Sequence, residues 1–550
     1  VRLLLQLIED SAGGTAGRPG IDFTVDGRAV SVPDDGASLL EVLRDRLGLR
    51  SAKDGCSPQG QCGCCTVWVD GAARVACVTP ARRVAGRAVT TVAGLDPAVR
   101  DRWAAAFTDC GASQCGFCTP GIVMRLAALE GRSSLEEARV ATALAAHLCR
   151  CTGWRTIFDA AARVAAGGAA PGSGAPRDLA AAARRATVEG GTPQQVGPAV
   201  ALGRGGFADD EAPLDALVAV PDGTGGWAVG ETLSAARAAA GKVQGRNSTA
   251  PLRHPLALPP GDFALSLQTT FVEPAYLEPD ASWCVPGGEP ATPLANGGAF
   301  GGKLASPAPA AARALADRHG RPVRVVLARE DVVRLGPKRP PIAAGVRADG
   351  TGVLRVAVTP GSGDLAAWEA ALALAAPRLA VERCAVPGPP VAPDLRAAGW
   401  AEGAVLMAAL AAAVEGRVGP GHPVELSSPE GATARAAVAA DGTIAVRVAA
   451  GAVLDEVVLR SYAVGAAHQA LGWVRREGLA VDDTGAVQDL TIRSFGVLPA
   501  RDMPHVEVEV VDADGPPVRG GDVVFAAVAA AAWVAAGLPS AWPVERGGSR

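Results

Sequence analysis

The sequence predicts an α+β protein of several domains: a small sheet domain, a compact helical domain and a longer mixed α/β part. Three observations predict it. Ten of the twelve cysteines of this 550-residue chain fall between positions 56 and 151. Around them, the apolar pattern changes from period-two alternation to helical spacing near residue 97. A stretch rich in Gly, Ala and Pro, AAGGAAPGSGAP at 165–176, then separates this region from a long remainder of short strands and alanine-rich helices.

Taken in order, residues 1–20 read as an irregular N-terminal extension. From 21, IDFTVDGRAVSV gives two alternating strands turned at Asp26-Gly27. SLLEVLRDRLGL follows, with Ser38 and Glu41 as a capping box and Leu40, Leu43 and Leu47 on one helical face. TVWVDG adds another strand, and this domain, 21–96, closes before the helical one, 97–166. There Thr119-Pro120 reads as N-cap and first-turn proline for GIVMRLAALEG, and SSLEEARVATALAAHL opens on a second S-x-x-E box. Residues 167–190 read as linker, and the remainder divides into 191–345 and 346–550.

Composition narrows the function classes. A net charge of −4 with 20% charged residues gives no footprint for a nucleic-acid partner. No run approaches the ~18–20 apolar residues of a membrane span. The leucine-rich start lacks a basic region and a cleavage site, so the expected location is the cytoplasm. Crowded cysteines in such a chain point to metal ligation rather than disulfides.

The cysteines form two groups. The first is Cys56-x5-Cys62-x2-Cys65-x11-Cys77, with Cys64 as a spare thiol. It is the plant-type [2Fe–2S] spacing with one added loop residue. A four-cysteine zinc site and buried free thiols are the competing readings. Glycines suit this loop, which must turn tightly and aim N–H groups at sulfur. The second group is Cys115-x2-Cys118-x30-Cys149-x-Cys151, each pair at a predicted helix end, where a helical hairpin would bring the pairs together. On spacing alone, zinc and iron–sulfur are both open. Cys110 reads as an ordinary buried thiol.

A glycine loop, NGGAFGGKL at 296–304, satisfies most of the Walker A pattern through Gly297, Gly302 and Lys303. Leu304, however, stands where that motif needs Ser or Thr for Mg²⁺. Nucleotide binding, a plain turn and backbone packed against another cofactor are the alternatives.

QCGFCTPG at 114–121 and HLCRCTGW at 147–154, behind a ferredoxin-like domain, resemble the iron–sulfur region of the molybdenum hydroxylases, the xanthine dehydrogenase and aldehyde oxidoreductase family. The resemblance covers 21–165 continuously and implies a β-grasp ferredoxin-like domain and a helical-bundle domain. Each would hold one [2Fe–2S] cluster, the first on Cys56, Cys62, Cys65 and Cys77, the second on Cys115, Cys118, Cys149 and Cys151. Further traces follow in the family's order: TTFVEPAYLEPDASW, the glycine loop as the family's GGGFGGK, and DLRAAGWAEGAVLMAA. They imply shortened mixed α/β molybdopterin-binding domains. A molybdenum–molybdopterin cofactor would lie against Gln114, Cys149, Gly298, Phe300, Gly301 and Gly302, with Arg396 near substrate or cofactor. Lys303 becomes a structural ion-pair or surface residue.

Two departures stand out. The family's molybdopterin-binding parts are usually considerably longer. Its catalytic glutamate, in a GxGE motif, is matched here by Gly521-Asp522 in PPVRGGDVVFAAVAAAAW. A base must reach its proton, and Asp522 is one methylene shorter than Glu; it equally suits the N-cap of the helix that follows. None of the six histidines makes a ligand pattern. No dinucleotide fingerprint or flavin-sized insertion is seen, so no FAD is expected in this chain.

The resemblance therefore implies an enzyme that oxidises a small-molecule substrate, an aldehyde, purine or N-heterocycle, with water as oxygen source. Electrons would leave through two clusters to a separate FAD-binding subunit or another acceptor, in a homo- or hetero-oligomer. Two rivals use the same residues: a two-cluster electron-transfer subunit with a non-catalytic molybdopterin-like region, and a non-catalytic assembly partner of a larger oxidoreductase.

Overall fold

The computed structural model describes residues 20–56, 58–167, 177–241, 250–488 and 490–545. The predicted extension before Gly20 and most of the Gly/Ala/Pro stretch lie outside them.

The first domain is a five-stranded sheet of order β2-β1-β5-β3-β4. Its strands are β1 (Gly20–Val25), β2 (Arg28–Pro33), β3 (Thr66–Val69), β4 (Ala72–Val75) and β5 (Ala88–Thr90). Asp26-Gly27 turns β1 into antiparallel β2, as alternation predicted, both residues with positive φ. Ile21, Phe23 and Val25 point inward because side chains along a strand alternate faces. Ser38 Oγ caps the next helix by accepting from Glu41 N at 3.2 Å. That helix, Leu39–Glu41, runs on as a π-helical turn, Val42–Arg46, burying Leu40 and Leu43.

Four helices make the second domain: α1 (Pro97–Asp109), α2 (Thr119–Glu130), α3 (Glu137–Ala143) and α4 (Arg155–Ala165). Two predicted caps are corrected. Cys118, not Thr119, is the N-cap of α2, so Pro120 still falls in the first turn. The second S-x-x-E box does not form, and α3 starts at Glu137 without a side-chain cap. Ser133 is engaged elsewhere: its N–H closes on Leu129 O at the end of α2, and its hydroxyl accepts from Arg139 at 2.7 Å.

The predicted linker 167–190 is also corrected. Its second half is a helix, α5 (Leu179–Gly190), whose N-cap Asp178 accepts from Ala180 N and Ala181 N. Beside it Arg177 makes a two-pronged bond to Asp455, at 2.7 and 2.6 Å. An Ala-rich run ending in Gly-Gly is a helix signal that the neighbouring linker composition masked.

Three four-stranded sheets build the rest. One has the order β7-β6-β10-β9, from β6 (Leu217–Pro221), β7 (Trp227–Gly230), β9 (Asp280–Cys284) and β10 (Val323–Leu327), with α6 (Ala308–His319) packed on it. Another has the order β13-β12-β11-β8, from β8 (Leu265–Gln268), β11 (Ile342–Val346), β12 (Gly352–Val358) and β13 (Leu379–Ala385). The last has the order β14-β15-β16-β17, from β14 (Val424–Ser427), β15 (Thr433–Val438), β16 (Ile444–Ala449) and β17 (Val506–Val511). The division expected at 345/346 is contradicted by pairing: it would cut the β11–β12 hairpin, and β8 leaves 191–345 to join that same sheet.

Helices α7 (Trp400–Val414) and α8 (Glu456–Arg475) pack on α9 (Gly521–Ala535), which lies against β15. α9 is apolar around nearly its whole circumference because it is central, as the run VVFAAVAAAAWVAA requires. Phe525 stacks on Trp473 of α8 with ring centres 5.3 Å apart. No helix among the described residues is long and apolar enough to cross a membrane.

Candidate functional site

All twelve cysteines are free of disulfides. In the first group Cys56, Cys62, Cys65 and Cys77 are all buried. The Cys56 thiol bonds to those of Cys62 and Cys77, and Cys77 also meets Cys65. Backbone N–H groups point at the sulfurs, Gln59 N at Cys56 Sγ (3.2 Å) and Cys77 N at Cys65 Sγ (3.4 Å). Cys64 is equally buried, with its thiol toward Cys62 O at 3.7 Å. Bonds from Cys62 and Cys77 depress the Cys56 pKa, while the bond to Cys56 drives Cys62 and Cys77 well up. Thiols this close cannot all ionise in the protein's own field. Four thiolates here would need a cationic centre among them, a requirement that zinc and an iron–sulfur cluster both meet.

The second group is assembled by helix ends. Cys118 stands immediately before α2, and Cys149 and Cys151 lie in the turn entering α4. Cys151 Sγ is 3.4 Å from Cys115 Sγ, and Cys149 bonds to both Cys118 and Cys151. Thr152 Oγ1 lies 3.0 Å from Cys149 Sγ. Among the described residues no three His, Cys, Asp or Glu side chains enclose a point suited to a single metal ion. The two groups adjoin: Leu148 N donates to Cys62 O at 3.0 Å, and Gly121 of α2 is pressed on the Gly63 carbonyl.

A cleft of about 140 Å³ opens beside the second group. Gln114 and Cys151 form one wall, Gly298, Phe300 and Gly301 another, and Arg396, Tyr462 and Asp522 line the rest. Gln114 directs its amide nitrogen to Cys151 O and Ser461 Oγ, both at 2.9 Å. Two expected lining residues face elsewhere. Cys149 is turned toward Cys118 and Thr152, leaving Cys151 at the cleft. Gly302 packs on the Tyr276 ring, which a Cβ there would meet at 2.6 Å.

Why the loop needs glycine is now physical. Gly297 and Gly301 have φ of +91° and +86°, conformations that side chains disfavour. A Cβ on Gly297 would meet Cys115 Cβ at 2.7 Å, and one on Gly301 would collide with the Asp394 carbonyl. Lys303 is buried, not at the surface. It pairs with Glu278 at 2.9 Å and donates to the Pro279 and Pro293 carbonyls at 2.9 and 3.3 Å. It anchors the loop from behind, where no phosphate could reach it.

Arg396 N donates to Phe300 O at 3.3 Å, its guanidinium lies over the rings of Phe300 and Phe525, and its Nε is 3.7 Å from Asp522 Oδ1. Asp522 also pairs with Arg519 at 3.2 Å. It is the second residue of α9 and not its N-cap. Glu189 performs the capping: its carboxylate accepts from Gly520 N (2.9 Å) and Gly521 N (2.8 Å) and pairs with buried Arg185. Glu189, Arg519 and Tyr462 all line the cleft and were missed in the sequence. Arg185 and Glu189, spaced i,i+4, were legible only once α5 was read as a helix.

The histidines stay out of the cleft. His147 is buried against Gly63 and Thr66, and burial takes its pKa down to about 3. His468 donates from Nε2 to Leu498 O at 3.0 Å, with its pKa lowered to about 4 by burial.

Fold and site together describe a multidomain α/β protein with two buried four-cysteine groups and a cleft beside the second. Comparison with known proteins agrees. Residues 91–162 match the family model described as a [2Fe-2S] binding domain. The nicotine 6-hydroxylase small subunit of Paenarthrobacter nicotinovorans is 40% identical over 142 residues, 26% of this chain and 86% of that protein. One of the subunits of a probable xanthine dehydrogenase of Bacillus subtilis is 36% identical over 146 residues, 26% of this chain and 83% of that one. The aldehyde oxidoreductase of Desulfovibrio gigas shares the fold across 94% of this chain and 97% of its own, with a TM-score of 0.66 at 16% identity. The chain belongs to the molybdenum hydroxylase family of oxidoreductases and contains its [2Fe-2S]-binding domain.

Proposed function

We propose that this chain is a compact molybdenum hydroxylase that oxidises an aldehyde, purine or N-heterocycle and sends the electrons out through two clusters. Support comes chiefly from one juxtaposition: Gln114 and Cys151, at the second cysteine group, share a cleft with Gly298, Phe300, Gly301, Arg396 and Asp522. The first group would be the ferredoxin-like [2Fe–2S] site, held by Cys56, Cys62, Cys65 and Cys77, and the second would be held by Cys115, Cys118, Cys149 and Cys151. When bound, a molybdenum–pterin cofactor would supply transfer of a water-derived oxygen to an electron-poor carbon, and the clusters would carry off the electrons singly.

The protein's own share is positioning and proton handling. Gln114, its amide nitrogen committed to Cys151 O and Ser461 Oγ, has its amide oxygen left to receive a pterin N–H. Gly298 and Gly301 close one wall with bare backbone, beside the Phe300 ring. Asp522, which lines the cleft, would take the proton of the attacking water at Oδ1 or Oδ2. Arg396 and Arg519, on its two oxygens, hold it at the cleft. Glu189 is the poorer base because two backbone N–H groups and Arg185 already use its lone pairs.

The final acceptor is a separate flavoprotein subunit or another electron carrier. Purification without air followed by molybdenum and pterin analysis tests the reading; about one of each per chain is expected. With the cofactor present, Asp522→Ala should abolish turnover and leave the EPR signals of both clusters unchanged. Unchanged turnover would remove Asp522 from the chemistry. The double engagement of Asp522 by arginines favours a second reading, an electron-transfer subunit with a silent cleft, which predicts iron without molybdenum.

A further inference from the structure

Arg150 stands between Cys149 and Cys151, yet its side chain turns inward and is only 4% exposed. It meets Glu477, 2% exposed, through a two-pronged pair: Nη1 to Oε1 at 2.5 Å and Nη2 to Oε2 at 2.7 Å. Nε donates to Pro274 O at 3.1 Å, and the Arg150 carbonyl accepts from Gln469 Nε2 at 3.2 Å. The place for the carboxylate is built. Glu477 N closes on Gly472 O just past α8, and a side chain at position 472 would collide with Glu477 Oε1. The pair faces a second, smaller cavity of about 40 Å³, which shares Phe300 and Arg396 as lining residues with the cleft.

We propose that Glu477 is the fixed counter-charge of Arg150 and so sets the reduction potential of the cluster held by Cys115, Cys118, Cys149 and Cys151; this rests on reading that group as a cluster site. Reduction adds one negative charge to a cluster, and the potential follows the net charge around its ligands. A guanidinium on the residue between two ligands would by itself favour the reduced form. Neutralised by a buried carboxylate, it cannot, and the interior position spares the pair from salt screening. Hydrogen bonding and charge thus have separate uses here: Arg150 fixes the ligand turn to α8, and Glu477 cancels what that fixation would do to the potential.

The test is an EPR-monitored redox titration of the full chain with both clusters loaded, the second signal being the one altered in Cys118→Ser. Glu477→Gln keeps the shape and removes the charge. It should raise the potential of the second cluster by a tenfold or larger change in its reduction equilibrium, about 59 mV for one electron, with the first cluster unmoved. Glu477→Asp disturbs packing more but keeps the charge, and should stay close to wild type. Arg150→Gln should shift the second cluster the opposite way if the cluster loads. Equal shifts in Glu477→Gln and Glu477→Asp, or none in Glu477→Gln, would overturn the proposal alone. Wild-type protein lacking a second [2Fe–2S] signal would overturn it together with the cluster reading.

Discussion

Lys303 shows how a single residue changes meaning once its surroundings are known. Its sequence neighbours suggest a phosphate loop, but its ammonium is buried against Glu278 and two carbonyls. Burial pushes the Glu278 carboxyl up to about 7, against the pull of Lys303 in the other direction. Lys303→Met would leave that carboxyl without its partner, a loss of roughly 3–5 kcal/mol for a broken buried pair. Lys303→Met/Glu278→Leu should recover most of it, read as the denaturant midpoint of each variant. A nucleotide-binding lysine would instead leave stability unchanged and abolish nucleotide affinity. Asp522 makes the complementary point. Its side chain reaches the cleft because Glu189 has taken over the capping that Asp522 was equally suited to perform.

At the scale of elements, what could be read from the sequence divides by range. The β1–β2 hairpin and the Ser38 cap come from patterns a few residues long, and the structure reproduces them; the cysteines of each group, spread along longer stretches, lie side by side. The missed features depend on contacts between distant segments. Gly302 and Cys149 face away from the cleft because Tyr276 and Thr152 stand beside them, which no local spacing encodes. The 345/346 division failed because β8, far upstream, completes the sheet of β11. α5 is the exception: its cap and its Gly-Gly end were local signals, overlooked beside the linker. It also matters to the site, because Glu189 near its end holds the first turn of α9. Glu189→Ala would strip two N–H groups of their acceptor and leave Arg185 buried without its partner. We expect a loss of about 3 kcal/mol or more together with weakened retention of cofactor, measured as pterin content after dialysis. Full stability and full pterin content would show that α9 is held by its packing alone.

Over the whole molecule, the domains are arranged as a sequence of adjoining sites. The first cysteine group touches the second through Leu148 N–H on the Cys62 carbonyl and through Gly121 on Gly63. The second opens on the cleft through Cys151 and Gln114. Small residues at these junctions let backbone approach backbone, which keeps the two cysteine groups close to each other and to the cleft. Electron passage along these adjoining sites requires two clusters of the same kind in one chain. EPR of dithionite-reduced protein purified without air, with iron and zinc measured on the same sample, should show two distinguishable [2Fe–2S] signals and about four irons per chain, with no zinc. A single signal with half that iron, or zinc in either cysteine group, would contradict it.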